Sequence, residues 1–175
     1  ALLNGYQSGS REAVLAQVAA VYATIAAEEL AYANPPASFG SQGQKVRTPD
    51  RIASGRIATC LDSALLFASC LEQAGLNPVL LLAKNHAFAG CWLTKQAFPE
   101  PTNEDVQAVR KRVDSGELVV FETTLATQQP PGTFRAAVAR GRDHLTLDEA
   151  EFEFAIDVAA ARRRHIVPLP THGEA

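Results

Sequence analysis

Methionine is absent from the 175 residues, tryptophan occurs once and cysteine three times. Three cysteines cannot all pair, which argues against a disulfide framework and for a reducing, cytoplasmic setting. No apolar run approaches the ~20 residues that a membrane span needs. Ala1-Leu2-Leu3 is followed at once by Asn4-Gly5, without the basic start and long apolar stretch of a secretion signal. A chain without Met that begins at Ala1 is expected to be a piece of a longer protein. The formal net charge is only -3, so neither a general nucleic-acid surface nor an anionic-membrane surface is expected. Phosphate-cradling loops of the Walker or GxGxxG type are missing. So are CxxC, HxH and HExxH, the short paired spacings of zinc sites. No metal and no cofactor are expected.

What is present is ordinary for a globular protein: 47% hydrophobic and 20% charged residues, enough for one domain spanning 1–175. An apolar stripe of Val14, Val18, Val21, Tyr22 and Ile25 predicts a helix from about Arg11 to Tyr32, closed by Asn34-Pro35-Pro36. Ala37 to Gly55 reads as a polar connecting loop. Thr59-Cys60-Leu61-Asp62 is a capping box with Asp in place of Glu, and it opens a helix that stops at Ala74-Gly75. Val79-Leu80-Leu81-Leu82 is apolar on both faces and reads as a central strand. The run from His86 to Leu93 is the next strand, and period two places His86, Phe88 and Trp92 on one face and Cys91 on the other. Thr102 to Asp105 is read as the cap of a helix ending near Ser115-Gly116. Glu117 to Thr124 is expected to be a strand, Phe134 to Arg140 a short helix closed by Gly141, and Thr146 to about Arg164 a last helix.

The chemistry centres on Cys60. A thiolate is the nucleophilic form of cysteine, and a helix start or an imidazolium beside it lowers its pKa. Cys60 sits in the first turn of a capped helix, where backbone N–H groups are free. Cys70 lies about 15 Å further along the same helix and, like Cys91, is assigned to packing. His86 is the candidate base and Glu122 the candidate group that orients it, since a carboxylate among β-branched residues needs a partner. Trp92 is placed on the His86 face as a group that excludes water. Gln42 and Gln44 of the preceding loop are candidate oxyanion donors. Asp157 is a rival acid on the last helix. Arg162-Arg163-Arg164-His165 reads as a basic helix end facing solvent.

The segments TCLDSALLFASCLEQAGL, NHAFAGCW and VVFETT resemble the core of the transglutaminase-like superfamily, over about Arg56 to Thr124. That resemblance implies an α+β, papain-like fold, with a central Cys-bearing helix on a small, mostly antiparallel sheet and helices around it. It implies Cys60 as nucleophile, His86 as base and Glu122 in the place where Asp is usual. The activity it implies is that of a cysteine protease or amide hydrolase acting on a protein or peptide. The longer run, through GQKVRTP to AIDVAAARRRHIVPLP, also resembles a domain carried inside large bacterial helicase-like proteins. Partners would then be the other domains of the parent chain. A catalytically inactive binding or scaffolding module is the alternative.

Overall fold

The computed structural model describes residues 3–34 and 45–168. Six helices are present among them: α1 (Arg11–Ala26), α2 (Pro49–Gly55), α3 (Cys60–Gln73), α4 (Val106–Asp114), α5 (Phe134–Thr146) and α6 (Val158–Arg163). The strands are β1 (Ala31–Tyr32), β2 (Ile57–Ala58), β3 (Pro78–Ala83), β4 (His86–Trp92), β5 (Thr102–Asn103), β6 (Leu118–Phe121) and β7 (Phe152–Asp157). The five strands β5-β7-β3-β4-β6 form one antiparallel sheet in that order, and β1 and β2 make a separate parallel pair. The class is α+β. No helix among the described residues is long and apolar enough to cross a membrane.

Local chemistry accounts for most boundaries. Ser10 caps α1 by accepting from the Ala13 N–H. The capping box of α3 is complete: Thr59 accepts from Asp62 N–H, and the Asp62 carboxylate accepts from Thr59 N–H at 3.0 Å. Asp62, fully buried, also accepts from the Arg47 N–H at 2.8 Å and from its guanidinium at 2.7 Å. The first turn of α3 is thereby tied to the segment before it. Lys84-Asn85 turns β3 into β4 as a two-residue hairpin. Asn85 takes a φ of 59°, a left-handed conformation that Asn tolerates, and Ala83 pairs with His86.

Each face of the sheet buries its own core. Ala89 and Cys91 of β4 and Val119 and Phe121 of β6 pack on α1 and α3, around the rings of Tyr22, Phe67, Phe121 and Phe134. Phe88 and Trp92 face the other way, with Val79, Leu81, Leu118 and Val120, against α4. The period-two reading of β4 therefore holds. Each fully buried aromatic or aliphatic side chain contributes about 1.5–3 kcal/mol. Helix α5 serves both cores, with Ala137 in the first and Leu145 in the second.

Several sequence expectations are corrected. The first helix ends at Ala26, not Tyr32: Glu29 adopts a φ of 49°, and Ala31-Tyr32 pairs with Ile57-Ala58 instead. The supposed loop up to Gly55 contains α2, which has Pro49 in its first turn. Asp105, not Thr102, caps α4, and Thr102-Asn103 is β5. The strand expected from Glu117 to Thr124 stops at Phe121, and a 3-10 turn follows from Thr123 to Thr127. Helix α5 runs through Gly141 to Thr146. The expected last helix is a strand and a short helix, because Phe152-Glu153-Phe154-Ala155-Ile156 alternates as a strand does and pairs with β3.

Gly141 sets how closely α5 lies on β6. A Cβ built there falls 2.7 Å from both the Cα and the N of Phe121, which are backbone atoms that cannot turn aside. Gly141→Ala is expected to destabilise the protein by about 2 kcal/mol, read as a lower urea midpoint with an unchanged slope. An unchanged midpoint would show that α5 can move off the strand at no cost.

Candidate active site

The site forms where β6 leaves β4. Strand β6 pairs with β4 only over Ala89 to Trp92, so His86 to Phe88 are bonded to β3 but to no strand on the β6 side. The hairpin makes Ala83 and His86 a hydrogen-bonded pair, which turns the Ala87 N–H toward the open side. The start of α3 meets β4 there.

Cys60 is 5% exposed. Burial is the largest influence on its thiol and pushes the pKa up. The hydrogen bond with His86, the Ala87 N–H, the charge of His86 and the Leu61 N–H outweigh it, so the thiol lies below its ordinary value. His86 shows the reciprocal effect. Burial lowers its pKa, but hydrogen bonds with Cys60 and Glu122, and their charges, raise it to about 9. Its Nε2 lies 2.6 Å from Glu122 Oε2. The remaining ring nitrogen, Nδ1, is therefore the one left for sulfur.

Glu122 is the residue after β6 and caps the 3-10 turn. Its Oε1 accepts from both the N–H and the hydroxyl of Thr124 at 2.8 Å. Its own N–H is bonded to the Ala137 carbonyl at 2.9 Å. Extending the β4–β6 register, in which Ala89 opposes Phe121, puts Glu122 opposite Phe88, so His86 is its diagonal neighbour. Diagonal neighbours are about 7–8 Å apart, and the extra methylene of Glu over Asp suits that reach. Burial alone would raise the Glu122 pKa. Hydrogen bonds from His144 and His86 hold the carboxyl well below the usual range.

Two contributors were not foreseen from sequence. His144 of α5 places Nε2 2.7 Å from the same Oε2 of Glu122, with its ring 4.9 Å from that of His86. Reading Gly141 as a helix stop hid it; a helix continued by one turn carries His144 onto Glu122. Tyr32, on β1, is the second. The parallel pairing with β2 holds it beside Cys60, and burial, then the charge of Cys60 and a hydrogen bond to it, raise the phenol pKa. Its hydroxyl can donate to a thiolate. No local sequence signal marks a pairing between residues 31–32 and 57–58.

The other expected residues are placed as follows. Trp92 shares the His86 face but sits at the far end of β4, about 20 Å away by strand rise. It is 1% exposed, and its indole N–H donates to Asp157 at 2.8 Å, so it belongs to the core. Phe88 and His144 are the rings beside His86 instead. Asp157 ends β7 and caps α6, accepting also from Phe98 N–H, all at 2.8 Å; it is a structural acid. Gln42 and Gln44 lie outside the described residues. Burial raises the thiols of Cys70 and Cys91. The three arginines of the basic helix end are engaged within the protein: Arg162 with Glu72, Arg163 with the Phe98 carbonyl and Arg164 with Glu100.

Chemically, the arrangement supports a thiolate–imidazolium pair anchored on a carboxylate. Moving a proton from sulfur to imidazole leaves the number of bound protons unchanged, so the transfer itself adds no pH dependence to stability. Glu122 behaves differently. Its folded pKa is depressed, so its contribution is present above about pH 4.3 and is lost as pH falls toward the folded value. Glu122→Gln is expected to flatten the acid limb of a urea-midpoint profile; an unaltered limb would contradict the pairing.

Comparisons of the chain with protein-family models, with curated proteins and with solved structures find no match.

Proposed function

We propose that the protein is a cysteine hydrolase of the transglutaminase-like type, which cleaves an amide or peptide bond through Cys60, His86 and Glu122. The observation that carries this reading is the convergence of three elements. The capped start of α3 supplies the sulfur, the first residue of β4 the imidazole, and the end of β6 a buried carboxylate 2.6 Å from that imidazole. The thiolate of Cys60 attacks the carbonyl carbon. The oxyanion that forms takes hydrogen bonds from N–H groups at the start of α3, that of Cys60 first. The His86 imidazolium gives its proton to the leaving nitrogen as the C–N bond breaks. A thioester remains, and His86, now neutral, takes a proton from water as the water attacks it. Glu122 holds Nε2–H and so keeps Nδ1 aimed at sulfur and substrate. An amine in place of water would make the same site a cross-linking one. A cytoplasmic protein or peptide substrate is the partner proposed, together with other domains of a longer chain.

The low exposure of Cys60 favours a second reading, a binding module of a helicase-like parent protein that retains the residues without the reaction. Reactivity separates the two. Under the hydrolase reading, iodoacetamide modifies Cys60 well before Cys70 and Cys91 from neutral pH to about pH 9, where His86 loses its proton. His86→Ala slows that modification, and Glu122→Gln lowers kcat on a peptide substrate by about 10²-fold or more with little change in KM. Modification of Cys60 at the rate of an ordinary free thiol rejects the hydrolase reading.

A further inference from the structure

The group His86, Glu122 and His144 contains more than a triad needs. A single orienting partner suffices for His86, yet Glu122 Oε2 faces two imidazole Nε2 atoms, at 2.6 and 2.7 Å. The three potential ligand atoms lie within 4.8 Å of one another. We propose that these three side chains are a binding site for a divalent transition metal of the Zn2+ class, and that its occupancy switches the thiol site off. The second half rests on the hydrolase reading; the binding itself does not.

The donor set selects the class of ion. Two imidazoles and one carboxylate suit Zn2+ and its neighbours, whereas Ca2+ and Mg2+ prefer all-oxygen sets. Bond lengths of about 2.0–2.2 Å at tetrahedral angles require each N···O separation to open by roughly 0.7 Å. The fourth position has space, since the group lines a cavity of about 400 Å³ that also includes Gln128, Arg140, Asp148 and Glu151. The atoms behind the ligands are already partnered as metal sites require. Glu122 Oε1 is held by Thr124, and His144 Nδ1 faces Asp148 Oδ2 at 3.5 Å. Asp148 is in turn paired with Arg140 at 3.1 Å. No short paired spacing marks this site in the sequence, because the three ligands come from β4, the end of β6 and α5.

Binding takes the Nε2 proton from each ring. In the metal-bound state His144 is the Nδ1–H tautomer, with that nitrogen toward Asp148. The imidazolium of His86 loses its Nε2 proton to solvent and keeps Nδ1–H. A metal-bound ring can give up Nδ1–H only by becoming an imidazolate, so it is a far weaker acid toward the leaving nitrogen than the imidazolium it replaces.

The test is calorimetric titration of the whole chain with Zn2+, alongside alkylation of Cys60. One equivalent is expected to bind. His144→Ala and Glu122→Gln should each weaken binding at least 10-fold, and Asp148→Ala about 10-fold. Zn2+ should lower kcat on a peptide substrate in the wild-type protein, while in His144→Ala the same Zn2+ concentration should have no effect. Absence of stoichiometric binding, or equal affinity in a folded His144→Ala, would each overturn the site. If His144→Ala does not fold, His144→Gln takes its place under the same criteria. Rapid alkylation without Zn2+ binding rejects the metal site alone, and Zn2+ binding with an ordinary thiol rejects the hydrolase reading alone.

Discussion

A buried carboxylate without partners would cost several kcal/mol, and the region around Glu122 is arranged to prevent that. One oxygen takes both donors of Thr124, and the other takes two imidazoles. Each of these requirements fixes a larger element. The Thr124 bonds shape the 3-10 turn that carries the chain away from the sheet. The His86 bond places the hairpin turn, and the His144 bond sets the rotation of α5. Held this way, the carboxylate raises the basicity of His86, which in turn favours the thiolate form of Cys60.

Much of this was legible in the sequence wherever the signal was local. The Thr59-Asp62 box specifies the start of α3 down to individual hydrogen bonds, and so the position of Cys60. The alternation in β4 assigns Phe88, Trp92 and Cys91 to the correct cores. Glu122 could be singled out because a charge in an apolar, β-branched strand needs a partner. Tertiary pairing was the part that could not be read. Tyr32 reaches Cys60 only through a parallel pairing across more than twenty residues. Gly141 carries a misleading local signal: glycine usually ends a helix, but here it admits a neighbouring strand. The signal of the strand Phe152–Asp157 is obscured by the helix-forming residues on either side of it.

The proposed metal site and the proposed triad share two side chains and cannot both use His86 Nε2 at once. His144 belongs to the metal set alone, yet it also lowers the pKa of the shared carboxylate. One residue thus supports the charge relationship on which the thiol depends and provides the means to interrupt it.

The passage of α5 from one core to the other has a consequence for association. Strand β6 is an outer strand, and a free outer strand invites pairing with a second chain. Here the Ala137 carbonyl accepts the Glu122 N–H, and the helix backbone at Gly141 lies directly on Phe121. The β6 margin of the sheet, which borders an interior as apolar as Val79-Leu80-Leu81-Leu82, therefore offers little template for strand addition.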